Sequence, residues 1–232
     1  MGLSADLKKE VEQILKFADN WDVRVGDKVP EPEEVGLGNK AVELDAVTLY
    51  ADLEDSTALV RGYKWWFAAE IYKSYLLCAC RIIQANNGTI TAFDGDRVMA
   101  IFVHGNKNSD AAKAALQINY AVEKILNPLI KEMWPTTDYV LKHAVGIDNG
   151  KLRAVRTGIR KYNDLVWVGT SANYAAKLCS ERQPFIASWI TESVFNSLLD
   201  TSKYSNGQIM WTPYTWSETG GKIYGSSWYW EP

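Results

Sequence analysis

The sequence predicts an α+β domain, a mostly antiparallel sheet with helices on one face. Three observations predict it. Residues 46–51 (AVTLYA) form an apolar, β-branched run that reads as a buried strand. Asp94-Gly95-Asp96 separates two further strand-like runs, and an Asp-Gly pair there signals a hairpin because it tolerates positive φ. Residues 57–86 and 109–134 repeat apolar side chains at helical spacing with few breakers. The order strand, helix, hairpin, helix, strand suits helices layered on one side of such a sheet.

Each element follows from local chemistry. Residues 5–18 place Leu7, Val11, Ile14, Leu15 and Ala18 on one helical stripe. Residues 21–40 hold Pro30, Pro32, Gly26, Gly36 and Gly38 among acids and read as an extended linker. The main domain is therefore expected over 41–232, with 1–40 as an N-terminal helix and linker. The first strand stops at Asp52. Helix 57–86 is interrupted only by Gly62 and ends at Asn86-Asn87-Gly88. The hairpin pairs 89–93 with 97–103. Helix 109–134 starts on a Ser/Asp cap, and Pro128 should kink or break its last part. A strand at 139–147, a turn at Asp148-Asn149-Gly150 and a strand at 152–155 come next. Helix 170–179, a strand near 185–187, helix 192–199 and two terminal strands complete the chain.

Composition narrows the function. The 232 residues are 47% hydrophobic and 23% charged, which supports a packed core and excludes a disordered chain. The net charge of −3 gives no general attraction to nucleic acid or an anionic membrane, so neither is an expected partner. Cys78, Cys80 and Cys179 show no metal-ligand spacing and read as reduced packing residues. No uncharged run is long enough to span a bilayer, and a cytoplasmic location is expected.

Two carboxylates stand out. Asp52 ends the first strand and Asp96 follows the hairpin turn, so adjacent strands would bring both to one end of the sheet. Two hard oxygen ligands at a wet edge suit Mg²⁺ or Mn²⁺, whose remaining ligands are waters and nucleotide phosphates. Just after Asp52, the turn into the next helix (Leu53, Asp55, Ser56, Thr57) would offer free N–H groups to a phosphate.

These residues resemble the class III nucleotide cyclases, whose catalytic domain has a ferredoxin-like fold. Residues 49–57, LYADLEDST, are similar to that family's FADIVGFT motif, and residues 95–102, GDRVMAIF, match GDxxxAxF. Residues 169–178, GTSANYAAKL, resemble GxxVNxAARL, and 145–150, VGIDNG, look like its GIHTG hairpin. The resemblance implies two divalent ions held by Asp52, the backbone carbonyl of Leu53, and Asp96. It implies that Asn173 orients the ribose and that Lys177, where the family keeps arginine, steadies charge on the α-phosphate. Lysine supplies that charge as a point without arginine's fork. The resemblance further implies a homodimer in which Asn173 and Lys177 reach the partner's metal site. Lys222 falls where relatives keep a lysine for the terminal phosphates.

Base choice departs from the purine cyclases. They place Lys or Glu four residues before the second metal ligand, where this chain has Ala92. They place Asp, Thr or Cys near the position of Val166 or Trp167, and neither can bond a purine edge. Tyr50 replaces a common Phe; its phenol would narrow the pocket and bond a pyrimidine. The pattern resembles the bacterial pyrimidine cyclases of Pycsar anti-phage systems. That likeness implies conversion of UTP, favoured over CTP, to a cyclic nucleotide read by a separate effector protein. Adenylate or guanylate cyclase activity and a catalytically dead nucleotide-binding domain are the alternatives. Arg97 is a possible helper, and His104 and His143 read as structural.

Overall fold

The computed structural model describes residues 2–159 and 161–232. In chain order the elements are α1 (Leu3–Leu15), β1 (Asp22–Val25), β2 (Lys40–Leu53), α2 (Ser56–Gly62), α3 (Trp65–Ala85), β3 (Thr89–Asp94), β4 (Arg97–Phe102), α4 (Lys107–Tyr120), α5 (Asn127–Met133), β5 (His143–Ile159), β6 (Tyr162–Val168), α6 (Thr170–Leu178), β7 (Ser188–Thr191), α7 (Glu192–Asn196), α8 (Asp200–Lys203), β8 (Tyr204–Ser205), β9 (Gln208–Ile209), β10 (Thr212–Thr215) and β11 (Lys222–Ser226).

One sheet runs in the order β10-β11-β7-β5-β2-β4-β3, with β1 added to β2 and β6 to β5. The β1·β2 and β5·β7 pairs are parallel and the rest antiparallel. The fold is thus α+β, as expected. Alternation along β2 sends Val47, Leu49, Ala51 and Leu53 into one core with Ile71, Tyr75 and Ile83 of α3 and the alanines of α4. Val42, Leu44, Ala46 and Tyr50 face the other side, toward Ala172 of α6. Helices therefore cover mainly one face, and α6 alone of the longer ones crosses the other. Gly146 makes that crossing possible: a Cβ there would stand 2.2 Å from the carbonyl oxygen of Ala175 and 2.3 Å from the Cys179 nitrogen.

Several elements differ from expectation. The presumed linker contributes β1 and buries Val35 in the second core. The helix expected over 57–86 is two helices that break at Tyr63 and Lys64. The one expected over 109–134 continues past Tyr120 through a π-helical turn (Ala121–Leu126), which precedes Pro128 in α5. Proline has no N–H to donate, so a shift of hydrogen-bond register nearby keeps the helix going. The turn expected at Asp148-Asn149-Gly150 is continuous strand, because β2 pairs with β5 from Leu53↔His143 to Ala41↔Val155 without interruption. β6 was not anticipated. No helix among the described residues is long and apolar enough to cross a membrane.

Candidate active site

The β2·β4 ladder closes at Ala51↔Val98, so Asp52 emerges beside the Gly95-Asp96 turn of the β3–β4 hairpin. Burial is the main force raising the Asp52 carboxyl to about 6, and the Asp96 carboxylate adds to it. Arg97, Arg182 and the Leu53 N–H oppose the rise. Asp96 keeps Oδ2 buried without a hydrogen-bond partner among the described residues. Two converging carboxylates, one with an orphaned oxygen, fit a divalent cation. No group of three or more His, Cys, Asp or Glu side chains among the described residues makes a fuller cage. Asp52, Asp96 and the Leu53 carbonyl would thus leave positions for water or phosphate oxygens, as Mg²⁺ and Mn²⁺ accept.

Tyr50 lies on the same face of β2 as Asp52, two residues earlier. Its hydroxyl donates to Met99 Sδ at 3.1 Å, and the Arg97 guanidinium sits 5.5 Å from its ring centroid. Arg97 also pairs with Asp94 at 3.1 Å. Trp167 packs into the cluster that holds Met99 and Tyr50, whereas Val166 points the other way and is 41% exposed. Ala92 pairs with Met99 just past a bulge and is exposed. Tyr50 and Ala92 therefore both adjoin Met99, whereas Trp167 lies opposite Ala154 on the far half of β5, level with Val42 and away from Tyr50. Asp55, in a left-handed conformation (φ 54°), starts α2. With Ser56, Thr57 and Arg61 it lines an open depression.

Asn173 and Lys177 are one turn apart on the exposed side of α6. Lys177 forms an ion pair with Glu218 in the β10–β11 loop. Arg97 and Arg182 are the cations that lower the Asp52 carboxyl. Lys222 pairs with Glu192 at 3.1 Å. Its neighbour Ile223 lies opposite Thr191, at the far end of β7 from Ser188, the residue level with the Asp52 end of β5. A single chain thus unites Asp52, Asp96, Tyr50 and Arg97, while Lys177 and Lys222 are engaged by Glu218 and Glu192.

No protein-family model matches the chain. A uridylate cyclase of Xanthomonas perforans is 47% identical over 99% of this chain and 99% of its own length. One of Burkholderia cepacia is 49% identical, also over 99% of both chains. The chain belongs to the uridylate cyclase family.

Among solved structures, the chain superposes on the guanylyl cyclase Cya2 with a TM-score of 0.67 at 17% identity, covering 82% of this chain and 95% of that one. It superposes on a bacterial light-regulated adenylyl cyclase with a TM-score of 0.68 at 20% identity, over 80% of this chain and 52%, about half, of that one. Both likenesses show the class III cyclase fold.

Two groups carry no signal in the sequence. Arg182 bonds the Cys179 carbonyl at 2.8 Å, lies 3.5 Å from Glu54, and acts on Asp52. Glu218 holds Lys177. Neither belongs to a motif, and each meets its partner only through the fold. Arg97, read as a strand-face cation with a possible helping role, is drawn fully into the site.

Proposed function

We propose that this chain converts UTP to 3′,5′-cyclic UMP and pyrophosphate at a site composed from two copies. The 3′ oxygen attacks the α-phosphorus, the bond to the β-phosphate oxygen breaks, and the 3′ proton leaves to solvent. The observation that carries the reading is the carboxylate pair: Asp52 raised by burial and by Asp96, and Asp96 with an unpartnered buried oxygen. The near full-length likeness to uridylate cyclases supports the substrate.

Asp52, Asp96 and the Leu53 carbonyl would hold two divalent cations, Mn²⁺ or Mg²⁺. Such cations neutralise triphosphate charge and ease loss of the 3′ proton when bound. The turn through Asp55, Ser56 and Thr57 receives phosphate oxygens, and Tyr50 faces the pyrimidine. Ala92 leaves a purine edge without a partner, and the phenol of Tyr50 takes up space a purine would need. The partner copy contributes Asn173 to the ribose, Lys177 to the α-phosphate and Lys222 to the terminal phosphates. Within one chain Lys177 pairs with Glu218 and not with the acid pair, which favours this sharing. By its likeness to Pycsar cyclases, the product would act in the cytoplasm as a messenger of anti-phage defence, read by a separate effector.

Purified protein given each of the four ribonucleoside triphosphates with Mn²⁺ should yield cyclic UMP, identified by mass. Conversion of ATP or GTP alone would overturn the pyrimidine reading, and conversion of CTP alone would overturn the choice of uracil.

A further inference from the structure

Behind Asp52, on the face away from α6, lies a cavity of about 690 Å³ that the proposed reaction does not use. Its walls come from the end of α4, the start of β5, the loop before β7 and the tail after β11. This volume is in the range of small-molecule sites.

His143 lines the cavity and is only 4% exposed. The Asn119 amide nitrogen donates to the carbonyls of Ser227 (3.3 Å) and Trp228 (3.0 Å), which turns its oxygen toward His143 Nε2 at 3.2 Å. Nε2 therefore carries the proton, and burial keeps the ring neutral by lowering its pKa to about 3. That leaves Nδ1 a bare acceptor, and it has no partner among the described residues. A buried acceptor of this kind costs stability and calls for a donor.

Phe185 lines the same cavity, 92% exposed and with φ at 66°. A bulky side chain in the left-handed region is strained, and here it holds an aromatic ring in water beside an apolar hollow. Tyr229 lines the wall, fixed by Lys124 Nζ 4.6 Å from its ring centroid. The charged lining balances, with Glu54 and Glu123 against Lys142 and Arg182. An occupant thus needs a flat face and no net charge, and a donor on it meets Nδ1, which has almost no accessible surface of its own, as the His143 ring turns toward the cavity.

We propose that this cavity is a second ligand site, for an uncharged planar aromatic molecule bearing an N–H or O–H donor, and that filling it adjusts the metal-binding carboxylate. Binding stands on the cavity alone; the adjustment rests on the cyclase reading. The link is short. Glu54 lies two residues past Asp52, its N–H bonds the Lys142 carbonyl at 2.9 Å, and Arg182 both pairs with Glu54 and acts on Asp52.

Indole is the test probe and 1-methylindole, which lacks the donor, its control. The chain has 2 histidines, so selective ¹⁵N labelling follows His143 directly. In metal-free and nucleotide-free protein, indole should move the His143 ring resonances, and 1-methylindole should bind about tenfold more weakly, the equivalent of one hydrogen bond. Ser227→Trp, at an exposed rim position, should weaken indole at least tenfold without lowering the melting temperature. No movement of the His143 signals up to the solubility limit, or equal binding of the two probes, would overturn the site. Mn²⁺ affinity by calorimetry should change at least threefold with saturating indole. An unchanged value would overturn the adjustment. Absence of any Mn²⁺ binding would instead sink the carboxylate-pair reading and with it the adjustment, while the cavity result stands.

Discussion

Lys177 and Glu218 form an ion pair that ties α6 to the loop between β10 and β11. The loop is pinned on the same helix: Trp216 packs edge-on against Tyr174 at 5.1 Å and donates Nε1–H to Glu181 at 2.7 Å. On the proposed mechanism, the cation that would meet phosphate is thus already engaged by a carboxylate, and the two must part before Lys177 reaches a substrate. Both side chains are about half exposed, and such pairs contribute at most about 1 kcal/mol. Glu218→Gln should therefore raise kcat/KM for UTP by up to about fivefold at low salt. The gain should shrink at high ionic strength, where the wild-type pair is screened. A fall in kcat/KM would mean that Glu218 positions Lys177 instead of withholding it.

Sharing between copies has a distinct signature. Asp52→Ala and Lys177→Ala should each be inactive alone while keeping the wild-type circular dichroism and melting temperature. Mixed in equal amounts, half the dimers pair one of each and carry one complete site. Recovery should approach about a quarter of wild-type turnover. No recovery after subunit exchange, verified by mass, would rule out the composite site.

Gly146 sets how closely α6 approaches the sheet. Gly146→Ala would drive a methyl into two backbone atoms of α6, and backbone yields only if the helix moves. The expected cost is about 2–3 kcal/mol. Because α6 carries Asn173 and Lys177, activity should fall further than stability explains, measured well below the midpoint of thermal unfolding. Wild-type stability in this variant would contradict the packing described here.

Asp148 gives the pH dependence. It is buried under α6, accepts a hydrogen bond from the Thr191 hydroxyl at 2.6 Å, and burial raises its carboxyl to about 6 despite that bond and the Asn149 N–H. A folded pKa above the unfolded value means the folded state holds the proton longer, so stability is lost as pH rises from about 4 to about 6. Two units correspond to about 3 kcal/mol at most. Asp148→Asn keeps an acceptor for Thr191 and removes the charge. It should melt several degrees higher than wild type at pH 7.5, and the two should converge near pH 4. Equal melting at pH 7.5 would show that the buried charge is compensated.

The parts of this molecule that were legible in the sequence are those fixed by neighbours in the chain. The hairpin at Gly95 was readable because its turn needs positive φ, found at 63°, and the acid pair followed from it. The Asp148-Asn149-Gly150 stretch misled for the opposite reason. Its composition favours a turn, but fourteen-residue β2 offers an unbroken ladder that outweighs local preference. β6 was hidden because it exists only as the partner of the far half of β5. Glu218 gave no signal at all, since its partner is 41 residues away.

The proposed division of the site between two copies, Asp52 from one and Lys177 from the other, has a kinetic corollary. When complete sites arise only from encounters between chains, output in dilute solution climbs with the square of the amount of protein present. A modest rise in expression would then be amplified into a far larger burst of product, and traces of leaky synthesis would stay nearly silent.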